Sequence, residues 1–560
     1  MTITWKIYID FDRDGSFATA NDEITAYVTD AHWRIGMRNA FQLTSDEAEL
    51  TLTLKNKDKR FSPEYTGGTY YGKLKPQLPI KVDGVYNGAT ATFYRGWVDT
   101  FLPAWNVRGE LVCMVPARGA KQFLHDTELY LELMQNVTAD QVLAAIFEDV
   151  IFPPITGSTW LLGLTGSTEL GVTTYVTDVA GSSYDFETGS YTFPYVGDSF
   201  ADKTSAYDVI ERLMRSERGH FYFDRSGTAV FLNRSHFQAD YNTVGTVNDL
   251  MMQLDYDYGS DVKNNIRVNV SPRTISAGTV ALWALDSAVR VDGGGTVTVR
   301  ARYADDQGGM VAGYNVGTPT PTVSSSSITL TSFTTTARSA ECTFVNSGSV
   351  PGSVTAMTIT GQKITTWNRM TIEEADEDSV SRYGRRALDL DCDLLASEQA
   401  GRDVALYEQS RLSSPRGMVR SLTLGERNST AGSLMFNRTL ADRIRVQETQ
   451  TGHDAYYFII GEEWRLSDGL KAYQVNWNLE PASTYSFWIG WCTRLKTVWT
   501  YTGFLGLYGR PCLVGYMRAS AHVLLPLRWL HGPQHVTTFS QVLASERCRP
   551  SRLNAQYGLT

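Results

Sequence analysis

A chain of 560 residues, 42% hydrophobic and 12% aromatic, is too long for one core and well supplied for several, so two to four globular domains are expected. No apolar run reaches 18 residues; the nearest, Leu505 to Leu530, is broken by Arg510, Arg518 and Arg528, which argues against a membrane-spanning helix. The net charge of −9 divides into +7 from Thr484 onward, where eight Lys/Arg meet one acid, and −16 before it, and so acidic a body is a poor general grip for nucleic acid.

The amino terminus enters alternating strand sequence at once and lacks the basic and apolar regions of a secretory signal, so the protein is expected to stay in the cytosol until assembly or lysis. Ala48 to Leu54 alternates with period two, Asn56-Lys57-Asp58-Lys59 is a turn cluster, and Phe93 to Val98 and Leu111 to Val115 read as further strands. Residues 1–120 are therefore expected to form a β-barrel or sandwich. Thr138-Ala139-Asp140-Gln141 is a capping box that opens a short amphipathic helix through Val142, Leu143, Ile146 and Phe147. Residues 155–192, rich in Gly, Ser and Thr, read as loop and irregular strand. A second helix starts at Thr204 or Ser205 and carries Val209, Ile210, Leu213 and Met214, with Gly219 expected to end it. His220 to Phe223 and Ala229 to Leu232 flank Asp224-Arg225-Ser226-Gly227, a hairpin signal, which makes residues 121–250 an α+β domain.

From Met251 the chain returns to strands, including Ile266 to Val270 and Thr296 to Val299, and residues 251–483 are expected to form a second β domain. The Ser/Thr/Pro-rich segment from Thr318 to Thr336 falls inside an inserted β-subdomain, about 272–365. A helix from Ser397 to Leu412 is followed by Pro415, and strands around Arg443 to Val446 and Tyr457 to Ile460 close the body near Pro481. Residues 484–560 are basic, hold Trp488, Trp491, Trp499 and Trp529, and show poor periodicity. A docking arm, an interfacial membrane-contacting segment and a terminus altered by a shifted reading frame all remain open for them; an arm or a disordered extension is preferred.

The order of several phrases resembles the tail hub or minor tail proteins of tailed bacteriophages, relatives of the baseplate hub of contractile tails. These are Arg60-Phe61-Ser62-Pro63, Tyr71-Gly72, Leu74 to Pro76, Tyr94-Arg95-Gly96-Trp97-Val98-Asp99, Ser205-Ala206-Tyr207-Asp208 and the hairpin at 220–233. Asn264 to Val268, Asp378-Ser379 with Tyr383-Gly384, Leu440 to Ile444 and Leu479-Glu480-Pro481 complete the set. The resemblance implies a mainly β fold with two tube-like β-barrel domains and an α+β middle domain. It implies a homotrimer that forms a pseudo-sixfold ring. Its implied neighbours are a tail tube or distal tail protein on one side and a spike or fibre protein on the other. Viral DNA would pass through without specific binding, no stable membrane insertion is expected, and the expected location is the virion tail tip or baseplate after synthesis in the host bacterial cytoplasm. Host-surface glycan binding through the insertion or the terminal aromatics is the alternative, as is the hub of a phage-derived contractile injection system.

Asp10, Asp12 and Asp14 with Gly15 have the spacing of a calcium loop, three oxygens around a glycine bend, although the twelfth position is Asn21 and a strand precedes the loop. A solvated acidic turn is the alternative. His531 and His535, with His522, Cys512 and Cys548 nearby, lack a second ligand pair of standard spacing. The six cysteines are scattered and read as free thiols, not a disulfide framework. Glu373, Glu374, Asp376, Glu377 and Asp378 form an acidic run that reads as a solvated turn or an inter-subunit salt-bridge patch. With no nucleophile elbow, zinc-helix motif, P-loop or dinucleotide fingerprint, no enzyme activity and no cofactor are expected.

Overall fold

The computed structural model describes residues 2–19, 21–107, 109–152, 161–162, 184–238, 243–305, 308–426 and 429–482. In a separate carboxy-terminal unit it describes only the antiparallel pair Tyr501–Leu505 and Pro511–Gly515. The chain is mainly β with few helices.

Seven strands build the first β unit: β1 (Thr4–Ile9), β2 (Val28–Gly36), β3 (Glu49–Lys55), β4 (Pro79–Tyr86), β5 (Ala89–Val98), β6 (Leu102–Trp105) and β7 (Leu111–Arg118). They run in the order β1-β4-β5-β7-β3-β2, with β6 paired to β7 alone. Apolar residues at every second position make these strands: Leu50, Leu52 and Leu54 of β3 are buried while Glu49 and Lys55 are exposed. The chain entering β2 runs back beside β1. Ile9 N–H donates to Asp22 O at 3.0 Å, and Ile24 N–H to Ile7 O at 2.9 Å.

A second six-stranded unit has the spatial order Gly245–Asn248, Arg443–Glu448, His453–Ser467, Ala472–Pro481, Gly417–Gly425, Gln253–Tyr258. Residues 249–252 join its first strand to its last, Asp249 N–H bonding Gln447 O and Met252 N–H bonding Thr423 O. The long strand His453–Ser467 belongs to both units. Its first half pairs Arg443–Glu448, and its second half pairs β2 antiparallel, with Trp33 opposite Trp464 and Gly36 opposite Gly461. One 13-stranded sheet and one apolar cluster therefore run through both. Beside the crossing Trp5 meets Trp33, Trp464 and Phe93 edge-on, at 5.5, 5.3 and 4.9 Å.

The α+β domain packs the helices Ala139–Asp149 and Ala206–Glu217 on the hairpin His220–Phe223/Ala229–Leu232, which Tyr184–Phe186 extends in parallel. Thr138 N–H donates to Gln141 Oε1 at 3.1 Å, closing the capping box, and Ser205 Oγ accepts from Asp208 N. The second helix ends on Arg218, not on Gly219: Arg218 takes the left-handed conformation at φ 61°. Gly219 is required for a different reason, since a Cβ there would sit 2.6 Å from both Leu232 O and the Phe231 ring.

Residues 264–271 and 370–412, read from the sequence as part of the second β domain, share the α+β core instead. The three-stranded sheet Met370–Ala375, Asn265–Val270, Ala387–Asp391 lays Ile266, Val268 and Ile372 against Val404 and Ala405 of the helix Glu398–Leu412. Gly401 allows that contact, because a Cβ there would meet Ile372 and Val270 side chains at 2.8 and 2.9 Å. Between the first two of those strands in sequence, residues 273–366 form three small antiparallel sheets around a core of their own, including Leu282, Tyr303, Phe344 and Ile359. This subdomain is docked on the α+β domain. Arg273 pairs with Asp198 at 2.8 Å, both side chains nearly inaccessible, and Ala337 N–H donates to Leu131 O at 2.8 Å.

At the crossing of β2 and His453–Ser467, a Cβ on Gly461 would lie 2.0 Å from Met37 O. Gly461→Ala is therefore expected to lower unfolding free energy by on the order of 3 kcal/mol or more, by forcing strands apart inside a packed core. Gly88, with φ +81° and nothing within 4 Å of an added Cβ, serves as the comparison. Its alanine variant should lose only the backbone term, about 1–2 kcal/mol. Equal losses in denaturant unfolding would remove the close-approach explanation.

Candidate functional site

The calcium-like loop is present as a turn after β1. Asp10 is buried and its carboxylate accepts from Asp14 N and Gly15 N at 3.3 and 3.1 Å. Asp12 pairs with Lys73 at 2.5 Å, while Asp14 accepts from Ser16 N and Thr19 Oγ1 at 2.8 and 2.9 Å. These oxygens are thus engaged by the protein's own donors. Among the described residues no three His, Cys, Asp or Glu side chains are gathered as a metal ion would need. His522, His531, His535 and Cys548 lie outside the described residues, as does the side chain of Cys512. Cys113, Cys342 and Cys392 are buried free thiols, their pKa values raised by burial. Among the described residues no helix is long and apolar enough to cross a membrane.

The acidic run resolves into ion pairs on an exposed sheet face. Glu373 faces Arg385 and Arg267 at 3.2 and 3.5 Å, Glu374 faces Arg402 at 3.0 Å, and Asp376 caps the helix Glu377–Tyr383 by accepting from Ser379 N.

The unusual chemistry lies where the α+β domain meets the two β units. The turn of the hairpin is tied by Asp224, whose carboxylate accepts from Ser226 N, Ser226 Oγ and Thr228 N. That turn presents Arg225 to Glu462 of the long shared strand, Nε to Oε2 at 3.0 Å and Nη2 to Oε1 at 2.8 Å. Glu462 is fully buried, also accepts from Trp464 Nε1 at 2.9 Å, and the guanidinium lies over Phe93 at 4.4 Å. A second buried chain of charge runs beside it. Arg218 donates to Glu408 at 2.8 Å, Glu408 also accepts from Arg411 at 3.1 Å, and Arg411 reaches Glu480 in the strand Ala472–Pro481. Burial alone would raise the Glu408 pKa, but Arg218 and Arg411 outweigh it and hold the carboxyl below its ordinary value.

A third tie is the loop between β2 and β3. Phe221 N–H donates to Leu43 O and Ser45 N–H to Phe221 O, both at 2.8 Å, a parallel bridge that ties Thr44 to the edge of the hairpin. Lys121 donates to Ser45 O at 2.6 Å and lies 4.1 Å from the Tyr207 ring. Next to it Glu47 has its pKa pushed up to about 8 by burial, which Lys121 and Arg118 only partly offset. Forked and desolvated, the Arg225–Glu462 pair fixes the orientation of the hairpin turn against the shared strand.

The sequence reading did not find this joint. Its signal was present in carboxylates set inside apolar strand runs, Glu462 after Ile459-Ile460-Gly461 and Glu480 between Leu479 and Pro481.

No family model and no curated protein matches the chain. Among solved structures it is similar to the 43 kDa tail protein of prophage MuSo2 from Shewanella oneidensis. That match has 11% identity and a TM-score of 0.42, covering 86% of this chain and 99% of the other. A tail protein from Neisseria meningitidis MC58 is similar at 9% identity and a TM-score of 0.45, over 87% and 98%. The E. coli c3393 protein, a component of the type VI secretion system, is similar at 10% identity and a TM-score of 0.29, over 81% and 73%.

Arg225→Ala leaves Glu462 buried without its partner and should cost about 3–5 kcal/mol in denaturant unfolding, while replacing both residues by methionine should restore much of it. A loss under about 1 kcal/mol for the single variant would show the pair to be dispensable. The Glu47 carboxyl has a folded pKa above its unfolded value, so its contribution is fully present below the unfolded pKa and is lost as pH rises through about 8. Glu47→Gln should therefore match wild type in melting temperature near pH 4 and exceed it at pH 9. A constant difference across that window would remove the assignment.

Proposed function

We propose that this chain is a structural component of a phage-type tail tip, a homotrimeric hub that joins the tail tube to a central spike or fibre and forms part of the DNA path. The observation that carries the reading is the fusion of two β units of similar size, seven strands and six, through the strand His453–Ser467. Three copies of such a chain present six β units to a sixfold tube and keep threefold symmetry for a spike. The ordered phrases from Arg60 to Pro481 support the same reading, and the charge of −16 over the first 483 residues suits a wall that DNA must pass without sticking.

In this reading the role is mechanical and not enzymatic. The chain is made in the host cytoplasm and ends in the virion tail tip. The buried joint keeps the α+β domain fixed on the β units while interfaces between copies rearrange on contact with a cell. The same geometry would serve the hub of a contractile injection device; capsid and terminase genes beside this one distinguish the phage.

Light scattering on the purified full chain tests the proposal. A particle of about three times the 62.3 kDa chain is expected. A monomer at all concentrations, remaining so when the tube and spike partners are added, would overturn it.

A further inference from the structure

Residues 56–78, between β3 and β4, hold no strand or helix, yet the backbone closes a turn every three residues. Lys59 N–H donates to Asn56 O, Ser62 to Lys59, Tyr65 to Ser62, Gly68 to Tyr65 and Tyr71 to Gly68, all between 2.9 and 3.1 Å. Two buried rings peg the array to the first β unit: Phe61 and Tyr70 stack at 5.4 Å, and Tyr70 stacks on Phe11 at 4.1 Å. Asn56 adds a clasp, donating to Ser62 Oγ and accepting from Phe61 N. A backbone held this way loses little freedom when something binds it.

The charge it displays has the opposite sign to the rest of the body. Between residues 55 and 75 there are six Lys/Arg and two acids, within a segment of net −16. Arg60 is neutralised by Asp58 and Lys73 by Asp12, each at 2.5 Å. Lys55, Lys57, Lys59 and Lys75 are exposed, as is the other acid, Glu64, and none of the four lysines has an ion pair among the described residues. On the exposed face around Asn265–Val270, by contrast, Arg267, Arg385 and Arg402 all face carboxylates. Tyr65 and Tyr71 stand among the lysines, 42% and 53% exposed, with Lys59 over the Tyr65 ring at 5.1 Å. Gly72, at φ +77°, has open space where a Cβ would be.

We propose that this turn array is a contact for the phosphate backbone of double-stranded DNA. At about 0.1 M salt the screening length is about 10 Å, so a phosphate beside the array responds mainly to the array's own charges, the four unpaired lysines against Glu64, and to the Asp10–Asp14 loop packed on Tyr70 through Phe11. Lysine ammoniums, tyrosine hydroxyls and exposed backbone suit phosphate oxygens. Neither amide of the array is free to read bases, since Asn56 is used within the turn and Gln77 reaches Gln122. Contact is therefore independent of sequence. It gives a repelling path one adhesive stripe, and it rests on the tail-tip reading for the source of the DNA but not for the contact itself.

The test is fluorescence anisotropy of a short random-sequence duplex titrated with the full chain between about 50 and 200 mM salt. Wild type is compared with K55Q/K57Q/K59Q/K75Q and with the same four positions changed to arginine. The basic residues beyond Thr484 are common to all three proteins, so the difference isolates the array. Each phosphate contact contributes about 0.9 to the log–log salt slope, so the glutamine variant should be shallower by roughly 3 to 4 and the arginine variant unchanged. Equal slopes and affinities for wild type and the glutamine variant would overturn the proposal. So would displacement of the duplex by polyglutamate at equal charge concentration, which would assign the surface to an acidic polypeptide. Because solution mass is read separately, absence of DNA binding by a trimeric wild type would sink this inference and leave the hub standing.

Discussion

Where β2 crosses the strand His453–Ser467, backbone lies against backbone, and the architecture around that point depends on two side chains being absent. Gly36 and Gly461 face each other in the register, and Met37 N–H donates to Ile460 O at 2.8 Å across the gap. Only at that separation can Trp33 and Trp464 stack at 5.8 Å with Trp5 and Phe93 filling the remaining space. The next residue, Glu462, is then carried into the interior, where a carboxylate is costly unless a forked donor meets it. Arg225 meets it from the hairpin turn, so the position of the α+β domain follows from the same close approach.

The local pieces of this arrangement were legible because their causes are local. Period two in Leu50, Leu52 and Leu54, the Thr138/Gln141 box, Ser205 and Ser397 as caps and the Asp224–Gly227 turn all act over a few residues. What stayed hidden acts across the chain. The partners Arg225 and Glu462 lie 237 positions apart and Arg218 and Glu408 190 apart, and no spacing rule links them. Arg218 illustrates the point: a glycine beside it is the better left-handed residue in isolation, but the Glu408 carboxylate rewards the arginine for adopting that conformation. The helix Ser429–Asn437 was missed for the same reason, since its sequence is rich in Ser, Thr, Gly and Asn and its order comes from burying Met435 and Phe436. In the loop at Asp10, Asp12 and Asp14 the carboxylates accept from Gly15 N, Lys73 and Thr19 Oγ1, contacts that also act over short and long ranges together.

Charge in this protein is sorted by depth. Outside, the face around Asn265–Val270 is laced with exposed pairs that add solubility and little stability. Inside, a few pairs span boundaries: Arg225 to Glu462, Arg411 to Glu480 and Arg273 to Asp198. A desolvated pair tolerates little sliding, whereas apolar contacts alone would let two bodies shift against each other. Residues 273–366 therefore ride on the α+β domain as a braced outgrowth with its own core, anchored at the base by Arg273.

The shared strand also has a cost in time. Residues 31–36 of β2 have no second neighbour until residues 461–466 exist, so the first β unit emerges from the ribosome with one long edge bare. About 430 residues of synthesis, roughly tens of seconds at bacterial rates of about 5–20 residues per second, separate the two halves of that ladder. For that interval an apolar strand edge is open to any other nascent copy, and contacts this distant in sequence form slowly even once the chain is complete. The yield of native protein in a heterologous host is then governed less by final stability than by how long that edge is shielded, which makes slow expression in the cold or surplus chaperone the natural conditions for obtaining the intact chain.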